Sequence, residues 1–293
     1  MPFSVRGSAF SFVLATLLTS AAAASAQQAP VVAVDPPRDA AHPARMEVLH
    51  IPSGGVHING VAYLASGAGV HPTLVLLHGL PGNEKNLDLA QAVRRAGWNA
   101  VTLNYRGSWG SPGVFRFANN PEDAAAALAF IRTPEQATRL GIDTSRIVLA
   151  GHSMGGWVTA LTASRDRALA GAILISAADM GANTTTPRAS VVTRMAGNME
   201  ALAGVTAESM ADEVIANGDA WRMQRAASGL ANLPLLILTS DDGLAPVGEG
   251  LAKAVREAGN PRVTTRHEAT DHSWSDKRIT LESAVVNWLA QLK

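Results

Sequence analysis

The sequence contains no cysteine. Disulfides and thiolate metal sites are therefore excluded, and a nucleophilic side chain has to present oxygen or nitrogen. Excess charge of either sign is absent too, because 24 lysines and arginines balance 24 aspartates and glutamates. Without a net field, nucleic acid and anionic membranes are poor partners, and a small, weakly charged molecule is the expected ligand. No Gly-x-Gly-x-x-Gly opens a helical pattern and no phosphate-binding loop is present, so no nucleotide cofactor is expected. The eight histidines lack the His-x-x-x-His or paired spacing of zinc sites, so no catalytic metal is expected either. No internal repeat is found.

Apolar runs of comfortable membrane-spanning length are also lacking. The longest, residues 9–24, is interrupted by serines and threonines and is short for a span. Arg6 precedes it and Ala24-Ser25-Ala26 ends it as a small-residue cleavage site. Residues 1–26 are thus expected to be a signal peptide, and the mature protein to be secreted or periplasmic without stable membrane insertion.

What is present is an ordinary globular composition, 47% hydrophobic and 16% charged over 293 residues. That length suits one α/β domain with an insertion. Residues 27–44, rich in alanine and proline, are expected to be a flexible linker, and residues 45–293 the folded domain. Residues 46–51 and 56–64 predict an antiparallel hairpin at a sheet edge, turning through Pro52-Ser53-Gly54-Gly55. The continuous apolar runs 73–77, 100–103, 147–150, 172–175 and 235–238 suit strands buried on both faces of a parallel sheet. Helical patterns fall at 86–96, 121–131 and 156–164, and the chain is expected to close on an amphipathic helix over 280–292, after an edge strand at 262–267. The alternation predicts a mainly parallel, doubly wound sheet whose ligands bind at the carboxyl ends of the strands. Nearly sixty residues separate the runs ending at 176 and starting at 235. This is more than one crossover needs, and residues 177–232 read as a small helical cap.

Gly151-His152-Ser153-Met154-Gly155 directly follows one of these strands and opens a helical pattern. That context is the one a nucleophile elbow requires: a turn so tight that serine is strained, with glycine on either side to avoid collision. It presents Ser153 at a helix N-terminus, where backbone amides favour developing negative charge. Ser153 is the candidate nucleophile and the Met154 amide a candidate oxyanion donor.

On these motifs the chain resembles the α/β-hydrolase family, in which an acid and then a histidine follow the serine in sequence. The resemblance implies an α/β-hydrolase fold and assigns Asp242, in Thr239-Ser240-Asp241-Asp242-Gly243, as the acid, with Asp241 as the neighbouring alternative. It assigns His272 as the base, ahead of His267. His78-Gly79-Leu80-Pro81-Gly82 is similar to the family's oxyanion loop, which implies the Leu80 amide as the second donor. Asn104-Tyr105-Arg106-Gly107-Ser108, followed by Trp109-Gly110, resembles a loop of the acylaminoacyl-peptidase and prolyl-oligopeptidase branch, from which the chain departs in lacking a large N-terminal propeller.

The implied activity is serine-dependent hydrolysis of carboxylic esters through an acyl-enzyme, without a cofactor. A peptidase or amidase acting on short peptides is the alternative, and a non-catalytic binding protein on the same fold is another. A histidine base acts only when neutral, so activity is expected to fall in acid. His78 and His152 are expected to pack or hydrogen-bond locally. Arg106 either pins its own loop or binds a substrate carboxylate. Trp109, Phe115 and Phe117 either line an acyl pocket or pack in the core. Met180, Met195, Met199, Met210 and Met223 either soften an apolar pocket or form the core of the cap.

Overall fold

The computed structural model describes residues 1–2, 30–183 and 185–292. All but the first two residues of the expected signal peptide lie outside them. The chain runs α1 (Pro30–Ala33), β1 (Arg45–Ser53), β2 (Val56–Leu64), β3 (His71–Leu77), α2 (Leu87–Arg95), β4 (Asn99–Leu103), α3 (Asn119–Arg132), α4 (Pro134–Leu140) and β5 (Ile142–His152). It continues through α5 (Met154–Ala163), β6 (Gly171–Ile175), α6 (Arg188–Ala196), α7 (Ala207–Ala216), β7 (Leu235–Ser240), α8 (Ala245–Glu257), β8 (Val263–Glu268) and α9 (Arg278–Leu289).

The eight strands form one sheet in the order β1-β2-β4-β3-β5-β6-β7-β8. Only β2 runs against its neighbours; every pair from β4–β3 to β7–β8 is parallel. The hairpin of β1 and β2 is tighter than the sequence suggests. Both strands continue to a two-residue turn, Gly54-Gly55, with φ of 54° and 82°, the left-handed geometry that matches strand twist.

Period-2 alternation divides the apolar strands between two cores. Val75, Leu77, Leu174, Leu235 and Ile237 face α3, α5 and α8, while Leu74, Leu76, Ile173, Leu236 and Leu238 face α2 and α9. Both sheet faces are covered, as the unbroken apolar runs require.

Three expectations are corrected. Part of the anticipated linker is ordered: α1 packs on α2 and α9, Val32 is buried, and Arg95 Nε donates to the Val31 carbonyl at 3.0 Å. The final helix is not amphipathic, because α1 and α2 cover what would have been its outer side and even Glu282 and Ser283 are buried. The helix after β5 begins at Met154 rather than at residue 156, since Gly155 and Gly156 serve close packing instead of breaking the helix.

From β3 the chain crosses to β4 on one side, and from β5 to β6 on the other. The adjacent carboxyl ends of β3 and β5 therefore flank the switch point of the sheet, the place where such sheets bind their ligands. Between β6 and β7 lie α6, α7 and two short 3-10 turns, Met180–Asn183 and Met223–Ala226.

Candidate active site

Ser153 is the single residue between the end of β5 and the start of α5. Its φ of 56° and ψ of −121° are strained for a residue with a side chain, at a cost of about 1–3 kcal/mol. The flanking glycines make the turn possible. A Cβ on Gly151 would lie 2.0 Å from the Gly155 carbonyl oxygen, and one on Gly155 would lie 2.4 Å from that of Leu77. Three hydrogen bonds hold the strained backbone: the Ser153 amide donates to the Ile175 carbonyl at 3.0 Å, and its carbonyl accepts from the amides of Gly156 at 2.9 Å and Ala178 at 3.0 Å. Met154 opens α5, so its amide has no carbonyl within the helix to receive it.

The loop after β3 lies against the same hydroxyl. A Cβ on Gly79 would stand 3.3 Å from Ser153 Oγ, and Leu80 follows at once. Buried His78 holds this loop: its Nδ1–H donates to the Gly79 carbonyl at 2.8 Å, and its Nε2 accepts from Ser108 Oγ at 3.4 Å. Burial pushes the His78 pKa down to about 4, so the ring is neutral near pH 7.

His272, between β8 and α9, donates from Nδ1 to Asp242 Oδ2 at 2.7 Å. The Asp242 side chain is 3% exposed and the His272 side chain 38%. Burial disfavours the Asp242 carboxylate, yet the His272 and Leu244 N–H donors, the imidazole's charge and the Ser240 hydroxyl outweigh it and hold the pKa below the usual carboxylate range. Asp241 is different: 63% exposed, it meets His267 Nε2 at 3.0 Å, while His267 Nδ1 meets Thr239 Oγ1 at 3.0 Å. The structure thus brings Asp242 to His272 and sets Asp241 and His267 in a separate pair. Ser153 Oγ and His272 Nε2 form no hydrogen bond; the link from the elbow to the His272 loop runs through His152, whose Nε2 lies 2.8 Å from the His272 carbonyl oxygen.

Sequence reasoning missed the anchors of that loop. Trp274 is fully buried and donates from Nε1 to Ser176 Oγ at 3.0 Å, and Ser176 Oγ meets Ser240 Oγ at 2.8 Å. Arg278 donates to the Ser273 carbonyl at 2.7 Å while pairing with Asp88. A tryptophan two residues beyond the histidine was the available signal. Asp179 is a second omission: buried just past β6, its Oδ1 accepts the amides of Gly181 (2.9 Å) and Met223 (3.2 Å).

The remaining candidates divide cleanly. Arg106 pins its own loop, with Nε 2.6 Å from Asp123 Oδ1 and one Nη 2.7 Å from Glu122. Phe115 and Phe117 are fully buried and pack edge to face, 5.3 Å between centroids, as core residues. Trp109 is half-buried at the rim, donating from Nε1 to the Pro81 carbonyl at 2.7 Å with Lys85 Nζ 4.2 Å above its ring. Met195, Met210 and Met223 are buried in the core beneath α6 and α7, and Met180 and Met199 pack against it. Among the described residues, no group of three histidine, aspartate or glutamate side chains is placed to hold a metal ion.

None of the curated proteins matches the chain in sequence. Solved structures do. It is similar to the esterase of Pyrobaculum calidifontis at 22% identity and TM-score 0.64, over 85% of this chain and 86% of that one. It is similar to a thermostable carboxyl esterase of Bacillus coagulans at 13% identity and TM-score 0.67, over 84% and 98%. With the acylaminoacyl peptidase of Pyrococcus horikoshii it shares 15% identity at TM-score 0.64, over 85% of this chain but 42% of that one. At these identities the likeness is one of fold. Residues 68–276, from the start of β3 past His272, match the family described as alpha/beta hydrolase fold, and on that match, which takes in well over half the sequence, the chain belongs to the α/β-hydrolase family.

Proposed function

We propose that this protein hydrolyses carboxylic esters through an acyl-enzyme on Ser153. The observation that carries the reading is the 2.7 Å pair of His272 and buried Asp242 in a structure whose elbow serine is held at φ 56°. His272 Nε2 takes the proton from Ser153 Oγ as the oxygen adds to the ester carbonyl, and Asp242 keeps the other ring proton on Nδ1 and stabilises the imidazolium. The amides of Met154 and Leu80 receive the tetrahedral oxyanion. The imidazolium then protonates the leaving alkoxide; water, deprotonated by His272, attacks the acyl-enzyme, and collapse returns the proton to Ser153 Oγ. The esterase neighbours favour this activity, and the engagement of Arg106 with Asp123 and Glu122 disfavours its use for a peptide carboxylate. The segment between β6 and β7 acts as a cap over the site. The expected leader places the activity in the periplasm or outside the cell.

The test is turnover of p-nitrophenyl acetate, butyrate and octanoate beside an alanyl-anilide, by the mature protein and its Ser153→Ala variant. Ester turnover abolished by the substitution is the expected result. Turnover of the anilide alone would make the protein a peptidase. Equal rates in both proteins would remove Ser153 as nucleophile, and no turnover of any substrate by either would favour a binding protein.

A further inference from the structure

His152 sits between the elbow and the His272 loop, and the mechanism above gives it no step. It ends β5 and is 3% exposed. Its Nε2 lies 2.8 Å from the His272 carbonyl oxygen, and its ring centroid stands 4.7 Å from that of His272, with the planes inclined at 41°. Its Nδ1 is buried and has no hydrogen-bond partner among the described residues. Together these select one tautomer. The carbonyl requires the proton on Nε2, whereas a proton on Nδ1 would be a buried donor with nothing to accept it. Burial above all, then the nearby His272 and Arg278, hold the pKa at about 4 against the opposing pull of the His272 carbonyl and Asp242. At neutral pH the ring is an uncharged donor.

Ser153 is fixed by β5 and α5, whereas His272 hangs in a loop beyond β8, three strands away in the sheet. The bond to Asp242 fixes Nδ1 but leaves the imidazole free to pivot about that contact, and the His272 side chain is 38% exposed. A second fixed point is needed to aim Nε2 at the elbow.

We infer that His152 is a positioning residue for the base: its Nε2–H ties the His272 backbone to the strand end that carries Ser153. This rests on the reading of Ser153 and His272 as nucleophile and base. Misplacement of a reacting group by about 1 Å costs about 100-fold in rate, so the effect belongs in kcat and not in substrate binding.

The experiment compares His152→Gln, which keeps a side-chain N–H donor, with His152→Met, of the same length without one, and with His152→Phe, which keeps a ring. Ser153→Ala and His272→Ala serve as references, and p-nitrophenyl butyrate is the substrate from pH 5 to 9. The Met and Phe variants are expected to lose about 10–100-fold in kcat with KM changed less than about twofold, and to show a displaced acid limb of the kcat profile. The Gln variant is expected to recover to within about threefold of the wild type. A Gln variant as slow as the Met variant, or a Met variant as fast as the wild type, would overturn the inference while the Ser153 and His272 references remain inactive. Activity persisting in those references would instead overturn the underlying assignment of nucleophile and base.

Discussion

His272 Nδ1 lies 2.7 Å from Asp242 Oδ2, and Leu244 donates its amide to the other oxygen of the same carboxylate at 2.8 Å. Both acceptor oxygens are therefore engaged, and the carboxylate can orient the ring without swinging away. Asp242→Asn keeps the shape but offers the ring the wrong tautomer, so kcat for an ester is expected to fall about 10³–10⁴-fold. Asp241→Asn is expected to stay within about threefold of the wild type. Steady-state kinetics of the two variants side by side make the comparison, and the reverse order would move the acid to Asp241.

The pH dependence of stability follows from His78 and His152, both held at about 4 in the folded protein against about 6.5 when unfolded. Between these values the unfolded chain binds more protons than the folded one, so stability decreases as pH falls through that window. The full contribution is present above about pH 6.5 and amounts to at most about 3 kcal/mol for each ring. Asp179 and Glu282, whose carboxyl pKa values burial raises, act in the opposite sense. A difference measurement isolates the histidine: His78→Asn keeps a donor near Gly79 O but cannot titrate. Urea unfolding at pH 7 and 4.5 is expected to show a smaller loss in the variant than in the wild type; equal losses would exclude His78 as a contributor.

Arg106→Met tests whether that arginine serves the fold or the substrate. Asp123 is fully buried and would be left without its cationic partner, at a cost of about 3–5 kcal/mol. A substantially lowered Tm with KM for a neutral ester changed less than about twofold is the expected outcome. An unchanged Tm with a raised KM for acidic substrates would return Arg106 to the substrate site.

Export is read out by mass. Protein recovered from the periplasm or medium of an expressing Gram-negative host is expected to begin at Gln27, as intact-mass measurement would show. A full-length cytoplasmic product would rule out the leader.

The sequence made the parallel strands legible because they are buried on both faces, and the elbow because strand, glycines and helix had to coincide there. Asp242 and His272 became legible only through family order, since residues thirty apart carry no local sign of meeting. What stayed hidden was tertiary. The role of His152 depends on a carbonyl 120 residues away, and that of Trp274 on Ser176, just past β6, and Ser240, at the end of β7. Helices α4 and α8 stand out little in the hydrophobic pattern, although Thr133 caps α4, Pro134 opens it and Gly141 ends it in the left-handed conformation. The start of α5 departs from the sequence pattern for a related reason: glycine counts against a helix in propensity, while here it admits Leu77 and Ala177 to contact.

Asp179 sets where the segment between β6 and β7 leaves the sheet and where it returns. Its Oδ1 accepts the amides of Gly181 at the beginning and Met223 near the end, and between these grips the segment is tied to the scaffold: the Ala203 amide donates to the Gly107 carbonyl at 2.7 Å, the Phe115 amide to the Ala203 carbonyl at 3.0 Å, and Trp157 Nε1 to the Trp221 carbonyl at 2.8 Å. Val191 and Met195 of α6 and Met210 and Val214 of α7 lie in the same core as α3 and α5, so the content of the segment is fixed by packing as well as by its two ends. The Trp109 amide donates to the Ala201 carbonyl at 2.9 Å, so any shift of this segment is transmitted to the loop that carries Ser108 and Trp109, and through Ser108 to His78.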